Sequence, residues 1–189
     1  MTVPMHDPSL LIIDFEATCD DQGRLPAEAM EIIEIGAVLL DGQFQRVGYF
    51  QRFVRPVKNP VLTPFCTTLT GITQRDVDGA EAFPAVARAF SHWLDAEVTV
   101  SPGRWASWGD YDRRQLARDC ERHQVPAPLT LPHVNIKAAF GRVNGGRDWG
   151  ISDALTHCGM RFEGDAHRGL DDALNIARLI QSDPTIAQS

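Results

Sequence analysis

At 189 residues, with 43% apolar and 23% charged residues, the sequence has the size and make-up of one globular domain with a sizeable core. No apolar run approaches the roughly 20 residues of a membrane span, and Met1 to Pro8 lacks the basic-then-apolar layout of a signal peptide, so a cytoplasmic location is expected. The net charge of −7 argues against broad electrostatic adhesion to nucleic acid, but not against an enzyme that grips a short strand through metal ions.

The first element is an apolar run, Leu10-Leu11-Ile12-Ile13, that reads as a buried strand and continues into Asp14-Phe15-Glu16-Ala17-Thr18. Side chains two apart on a strand share a face, so Asp14 and Glu16 project into one small volume. Burying two like charges side by side is costly without a cation. No Lys or Arg is close by in sequence, and oxygen-only ligands favour Mg²⁺ or Mn²⁺.

A polar stretch from Asp20 to Pro26 precedes Met30 to Leu40, which the Asp41-Gly42 turn joins to Phe44 to Val54 as an antiparallel hairpin. Val54-Arg55-Pro56 ends that strand, since proline removes a ladder donor. Thr63-Pro64 has the form of a helix N-cap with proline at the first position, and Thr73 to Asp76 that of a capping box with Asp in place of Glu. Phe83, Val86, Ala87, Phe90, Trp93 and Leu94 have the spacing of an amphipathic helix over 83–94. Short extended pieces are expected at 97–100 and 105–108, then a helix from Tyr111 to Arg122. After a proline-rich linker come a strand-to-helix passage over 134–143, a helix over 152–159 and a last helix over 169–180. Early hairpin strands followed by alternating strands and helices indicate an α/β fold with a mixed sheet. The four cysteines form no Cys-x-x-Cys pair and read as buried reduced thiols. Only two of the 18 basic residues, Lys58 and Lys137, are lysines; arginine suits phosphate contact, but the bias carries little weight.

The last helix holds a second acidic anomaly. At 100° per residue, Leu170, Ala173, Leu174, Ile176, Ala177, Leu179 and Ile180 form an apolar arc that contains Asp172, whereas Asp171, Asn175 and Arg178 fall outside it. The bland alternative is that Asp171 and Asp172 both complement the helix dipole. His167, five residues before Asp172, is a candidate general base if it stands beside a carboxylate site. In Trp108-Gly109-Asp110-Tyr111-Asp112, either aspartate could cap the following helix, and spacing alone does not choose between them.

The ordered set Asp14-x-Glu16, Tyr111-Asp112 and His167-x-x-x-x-Asp172 resembles the three motifs of the DEDDh 3′-to-5′ exonucleases, a branch of the ribonuclease H-like fold. Asp14 to Cys19, Phe65-Cys-Thr-Thr-Leu-Thr-Gly-Ile-Thr73 and His167 to Ala177 are similar to the Eri-type exoribonucleases, which trim histone mRNA stem-loops, small interfering RNAs and ribosomal RNA. The resemblance runs from Leu10 to Ile180, and in size the chain looks like bacterial single-domain forms. It implies a mixed five- or six-stranded sheet with helices on both faces, and one exonuclease domain over 9–182 between tails at 1–8 and 183–189.

The same resemblance selects Asp112 over Asp110 as a ligand and agrees with the helical wheel on Asp172. It implies two Mg²⁺ ions, with Mn²⁺ able to substitute, held by Asp14, Glu16, Asp112 and Asp172. His167 would be the general base, and nucleoside 5′-monophosphates would leave from single-stranded RNA 3′ ends. The terminal nucleotide would sit between Phe65 and Tyr111, with Leu69 near the penultimate base step and the backbone of Phe15, Ala17 and Thr18 near the sugar. A proofreading-type DNA exonuclease is the alternative; an inactive nucleic-acid-binding module is disfavoured by the intact acidic set.

Overall fold

Successive side chains of the first strand, β1 (Leu10–Ala17), enter two different cores. The computed structural model describes residues 9–188; the expected N-terminal tail at 1–8 lies outside the described residues. Leu10 and Ile12 pack in one core, and Leu11, Ile13 and Phe15 in the other, the period-2 division of a strand covered on both faces.

Strand β1 lies in the middle of a five-stranded sheet of order β3-β2-β1-β4-β5. Strands β2 (Ile32–Leu40) and β3 (Arg46–Phe53) continue it antiparallel, while β4 (Arg104–Ser107) and β5 (His133–Asn135) add to its other side in parallel. The hairpin turn is longer than the Asp41-Gly42 dipeptide suggests. The Asp41 carboxylate accepts the backbone N–H groups of Gln43 and Gln45, and Phe44 takes a left-handed φ of 57°.

Seven α-helices form among the described residues: α1 (Pro64–Thr70), α2 (Gln74–Asp78), α3 (Phe83–His92), α4 (Tyr111–His123), α5 (Ile136–Val143), α6 (Ile151–His157) and α7 (Gly169–Ser182). Helices α5, α6 and α7 cover one face of the sheet, and α3 and α4 the other. The Thr63 hydroxyl caps α1 by accepting from Cys66 N, and Thr73 and Asp76 make the reciprocal bonds of a capping box on α2.

Three expectations need correction. The extended piece at 97–100 does not form: α3 runs on into a π-turn, Trp93–Glu97, which keeps the Trp93 ring buried against Phe50 and Phe90. The expected C-terminal tail includes a 3₁₀ turn, Pro184–Ala187, with Ile186 and Ala187 buried. Of the cysteines only Cys66 and Cys120 are buried; Cys19 is half-buried and Cys158 exposed.

Helix α7 approaches the sheet more closely than side chains would allow. A Cβ on Gly36 of β2 would lie 2.0 Å from the Gly169 carbonyl carbon, and one on Gly169 would lie 2.8 Å from the Asp14 carbonyl oxygen. Backbone therefore rests on backbone at the start of α7. Gly36→Ala is expected to cost about 3 kcal/mol or more, at or above the upper end of ordinary overpacking, measured by chemical denaturation. Stability equal to the parent's would show that the helix can lift without penalty.

Candidate active site

The last residues of β1 form the floor of a cleft. Asp14 and Glu16 extend the line of Leu10 and Ile12 towards α7, and there they meet Asp172 in the first turn of that helix. One carboxylate oxygen from each of the three lies within 4.8 Å of the others. Asp112, in the first turn of α4, comes from the β4 side, and its Oδ1 accepts the backbone N–H of Phe15 at 2.9 Å. Strand β1 pairs with β4 only over Leu10–Ile12, so the two parallel strands part beyond that point. The site occupies the crevice off their carboxyl ends, where open α/β sheets place ligands.

The cleft, about 590 Å³, is lined by Asp14, Glu16, Asp112 and Asp172, by exposed His167, and by Phe15, Ala17, Leu69 and Tyr111. Leu69 and Tyr111 are 37% and 36% exposed, which excludes core packing as their main role. Phe65 is equally exposed but does not line the cleft; it lines a separate groove with Arg24, Pro64 and Thr68. Thr18 is buried and turned away from the cleft, and its hydroxyl accepts the backbone N–H of Glu31. The Thr63 hydroxyl donates to the Cys19 carbonyl at 2.6 Å and ties α1 to the end of β1.

Several residues of the site were not anticipated. Glu34 of β2 is fully buried and accepts from Arg168 Nε and Nη2, each at 3.1 Å, from Gly169 N at 3.0 Å and from Gln51 Nε2 at 2.6 Å. Its signal was the one that exposed Asp14, an acid within an apolar strand. Met30, Trp108 and Ile151 add apolar surface to the cleft and leave no comparable trace in the sequence. Asn175, placed outside the apolar arc by the helical wheel, is buried because it bonds the backbone at Glu163.

Glu34 has its cation, whereas the cleft carboxylates have none among the described residues. Among the described residues no Lys or Arg forms an ion pair with Asp14, Glu16, Asp112 or Asp172. Burial, with the neighbouring acids adding to it, lifts the Asp14 carboxyl well above the ordinary range and raises Glu16 to about 8. Burial also brings Asp112 to about 7 and Asp172 to about 6, against backbone hydrogen bonds that favour their ionised forms. Three carboxylates within 4.8 Å of one another, with Asp112 alongside and all ionised only at a cost, fit a divalent cation of the Mg²⁺ class.

Residues 11–180 match the profile of the RNase T family, described as exonuclease. The chain is 36% identical over 191 residues to ERI1 exoribonuclease 2 of Danio rerio, covering 91% of this chain and 34% of that protein. It is 34% identical over 178 residues to human 3′-5′ exoribonuclease 1, covering 90% of this chain and 50% of that one. It thus spans between a third and a half of these two relatives. Among solved structures, the nuclease domain of 3′hExo, a DEDDh family member bound to rAMP, superposes with a TM-score of 0.84 at 32% identity, covering 95% of this chain and 92% of that one.

The raised carboxyl values set the sign of a pH effect. A group with a raised pKa in the fold holds its proton more tightly there than in the unfolded chain, so stability falls as pH rises through the interval between the two values. In chelator, the melting temperature is expected to drop from about pH 4.5 to about pH 8, the span of Glu16, and excess Mg²⁺ should flatten most of that slope. A melting curve that chelator and Mg²⁺ leave equally dependent on pH in this window would rule out a carboxylate cation site.

Proposed function

The chain belongs to the RNase T exonuclease family, and from this membership we propose that it is a metal-dependent 3′-to-5′ exoribonuclease of the Eri type, acting on single-stranded 3′ ends. The observation that carries the reading is the cluster of Asp14, Glu16 and Asp172 at the floor of a cleft, with Asp112 beside it, no Lys or Arg ion-paired to any of the four among the described residues, and an exposed histidine at the rim. Relatives named as exoribonucleases support RNA as the substrate class. A cytoplasmic location belongs to the same proposal.

Asp14, Glu16 and Asp172 would hold two Mg²⁺ ions, with Asp112 in support, and Mn²⁺ would replace them. Such ions supply neutralising charge for a pentacoordinate phosphate and for the entering and leaving oxygens. The imidazole of His167 accepts a proton from the attacking water, and the water oxygen bonds to phosphorus as the bond to the 3′-oxygen breaks. The 3′-oxygen takes up a proton, and a nucleoside 5′-monophosphate leaves.

Binding of the terminal nucleotide falls to the apolar rim. Tyr111 and Leu69 present exposed surface beside the acids, and Phe65, one helical turn before Leu69 on α1, presents its own in a separate groove. Stacking of a base on an aromatic side chain is worth about 1 to 3 kcal/mol and is tolerant of sequence, which suits trimming of any 3′ end. The backbone of Phe15, Ala17 and Thr18 passes the sugar of the bound nucleotide.

The decisive assay follows 5′-labelled single-stranded RNA and DNA of matched sequence with Mg²⁺, with Mn²⁺ and with chelator. RNA should shorten from its 3′ end in either metal and remain whole in chelator. Absence of shortening of both strands would sink the enzymatic reading, and faster loss of DNA would reassign the substrate class. Asp14→Asn should abolish nearly all turnover while raising the melting temperature in chelator, because it removes one of the repelling charges. Retained turnover in that variant would refute the role of Asp14 as a metal ligand.

A further inference from the structure

His167 stands on an exposed loop in the left-handed region, at φ 63°, a conformation that a residue with a Cβ occupies only when its surroundings impose it. The loop between α6 and α7 must therefore be held on both sides of the histidine. On the C-terminal side the Asp172 carboxylate accepts the backbone N–H of Arg168 at 3.0 Å, and Glu34 fixes Arg168 and Gly169. On the N-terminal side the acceptor is Asp171. Its Oδ2 receives the backbone N–H of Asp165 at 2.9 Å.

Gly164 makes room for that contact. Its φ of 83° suits glycine, and a Cβ there would lie 2.6 Å from the Asp171 carboxyl carbon, so the carboxylate packs directly on the turn. Asn175, one helical turn along, bonds the Glu163 backbone through both its Oδ1 and its Nδ2, and its Nδ2 also donates to the Asp171 carbonyl. Residues 163–167 are all exposed to solvent, so these bonds from α7 substitute for the packing that the loop lacks.

We propose that Asp171 is a positioning residue for the exonuclease reaction: its carboxylate pins the Gly164–Asp165 turn and thereby presents His167 to the cleft. The inference rests on His167 serving as the general base. A displacement of about 1 Å at a reacting group can cost on the order of a hundredfold in rate, so loss of a single anchor two residues from the base registers in turnover. An acid that merely complemented the dipole of α7 would act on stability and leave turnover alone.

The test is a double-mutant cycle on short single-stranded RNA in saturating Mg²⁺, with kcat, KM, melting temperature and apparent Mg²⁺ affinity read for each protein. His167→Ala should lower kcat by roughly a hundredfold or more, the size of a general-base contribution. Asp171→Ala should lower kcat by roughly tenfold or more, with KM and Mg²⁺ affinity near the parent's, as expected when geometry at the base is lost. Asp171→Asn, which keeps an acceptor oxygen, should recover most of the rate. In the His167→Ala background Asp171→Ala should cost nothing further. If Asp171→Ala does not fold, Gly164→Ala, which displaces the same carboxylate from the loop side, should give the same pattern.

Parental kcat for Asp171→Ala beside a slow His167→Ala would overturn the positioning role and leave the base assignment standing. An equal loss in both backgrounds would overturn it too, placing Asp171 at the metal ligands or the fold. A parental rate for His167→Ala would remove the base assignment and the inference with it.

Discussion

The whole site depends on one contact without side chains, the seating of Gly169 on Gly36 and the Asp14 carbonyl. A helix that met these strands through side chains larger than glycine would stand farther from the sheet, and the short aspartate in its first turn farther from the carboxylates on β1. With glycine on both sides the start of α7 drops onto β1 and β2, and Asp172 comes within 4.8 Å of Asp14 and Glu16. The close approach also brings Gly169 N to the buried Glu34 carboxylate, so one contact sets both the spacing of the three cleft carboxylates and a hydrogen-bond donor to Glu34.

Two solutions to the burial of negative charge stand side by side. Glu34 is satisfied from within the chain by a forked Arg168 and two further donors, and nothing remains for a ligand to supply. The cleft acids are satisfied by backbone donors only in part, Asp112 by Phe15 and Asp172 by Arg168. Their remaining oxygens, with those of Asp14 and Glu16, face a shared cavity. The contrast separates the acids left open to a cation from the one already paired more surely than acidity itself does, since all five are acids on or beside the same sheet.

How much of this was legible in the sequence depends on whether the signal was local. The caps at Thr63 and Thr73, the alternation of β1 and the inward turn of Asp172 each follow from a few adjacent residues, and the structure contains them as read. Trp93 has the spacing of an α-helix end, yet the chain forms a π-turn there with the Trp93 ring packed on Phe90 one turn before it and on Phe50, more than 40 positions away, a contact no local pattern contains. Asn175 falls outside the apolar arc by direction, and a helical wheel does not contain the backbone of the loop that folds over that side. The glycine contact was invisible for the same reason, since neither glycine is unusual until the other is known to oppose it. Glu34 stood in plain view within Ile32-Ile33-Glu34-Ile35 but lacked a second acid two residues away to draw notice.

Asp112 shows why fold and site cannot be separated here. Where β4 leaves β1 after Ile12, a crevice can open only if the strand edge it exposes finds other hydrogen-bond partners. The Phe15 N–H finds one in the Asp112 carboxylate, so the acid that faces the cavity also closes the edge that forms it. Replacing that acid with an apolar residue would leave a buried backbone donor unpaired, at a cost of about 1 to 3 kcal/mol. An amide retains the acceptor for Phe15 N while losing the charge and exchanging the second oxygen for an NH2 donor. Asparagine at 112 therefore tests the electrostatics of the centre, whereas alanine tests the integrity of β1, and only the first reports on chemistry.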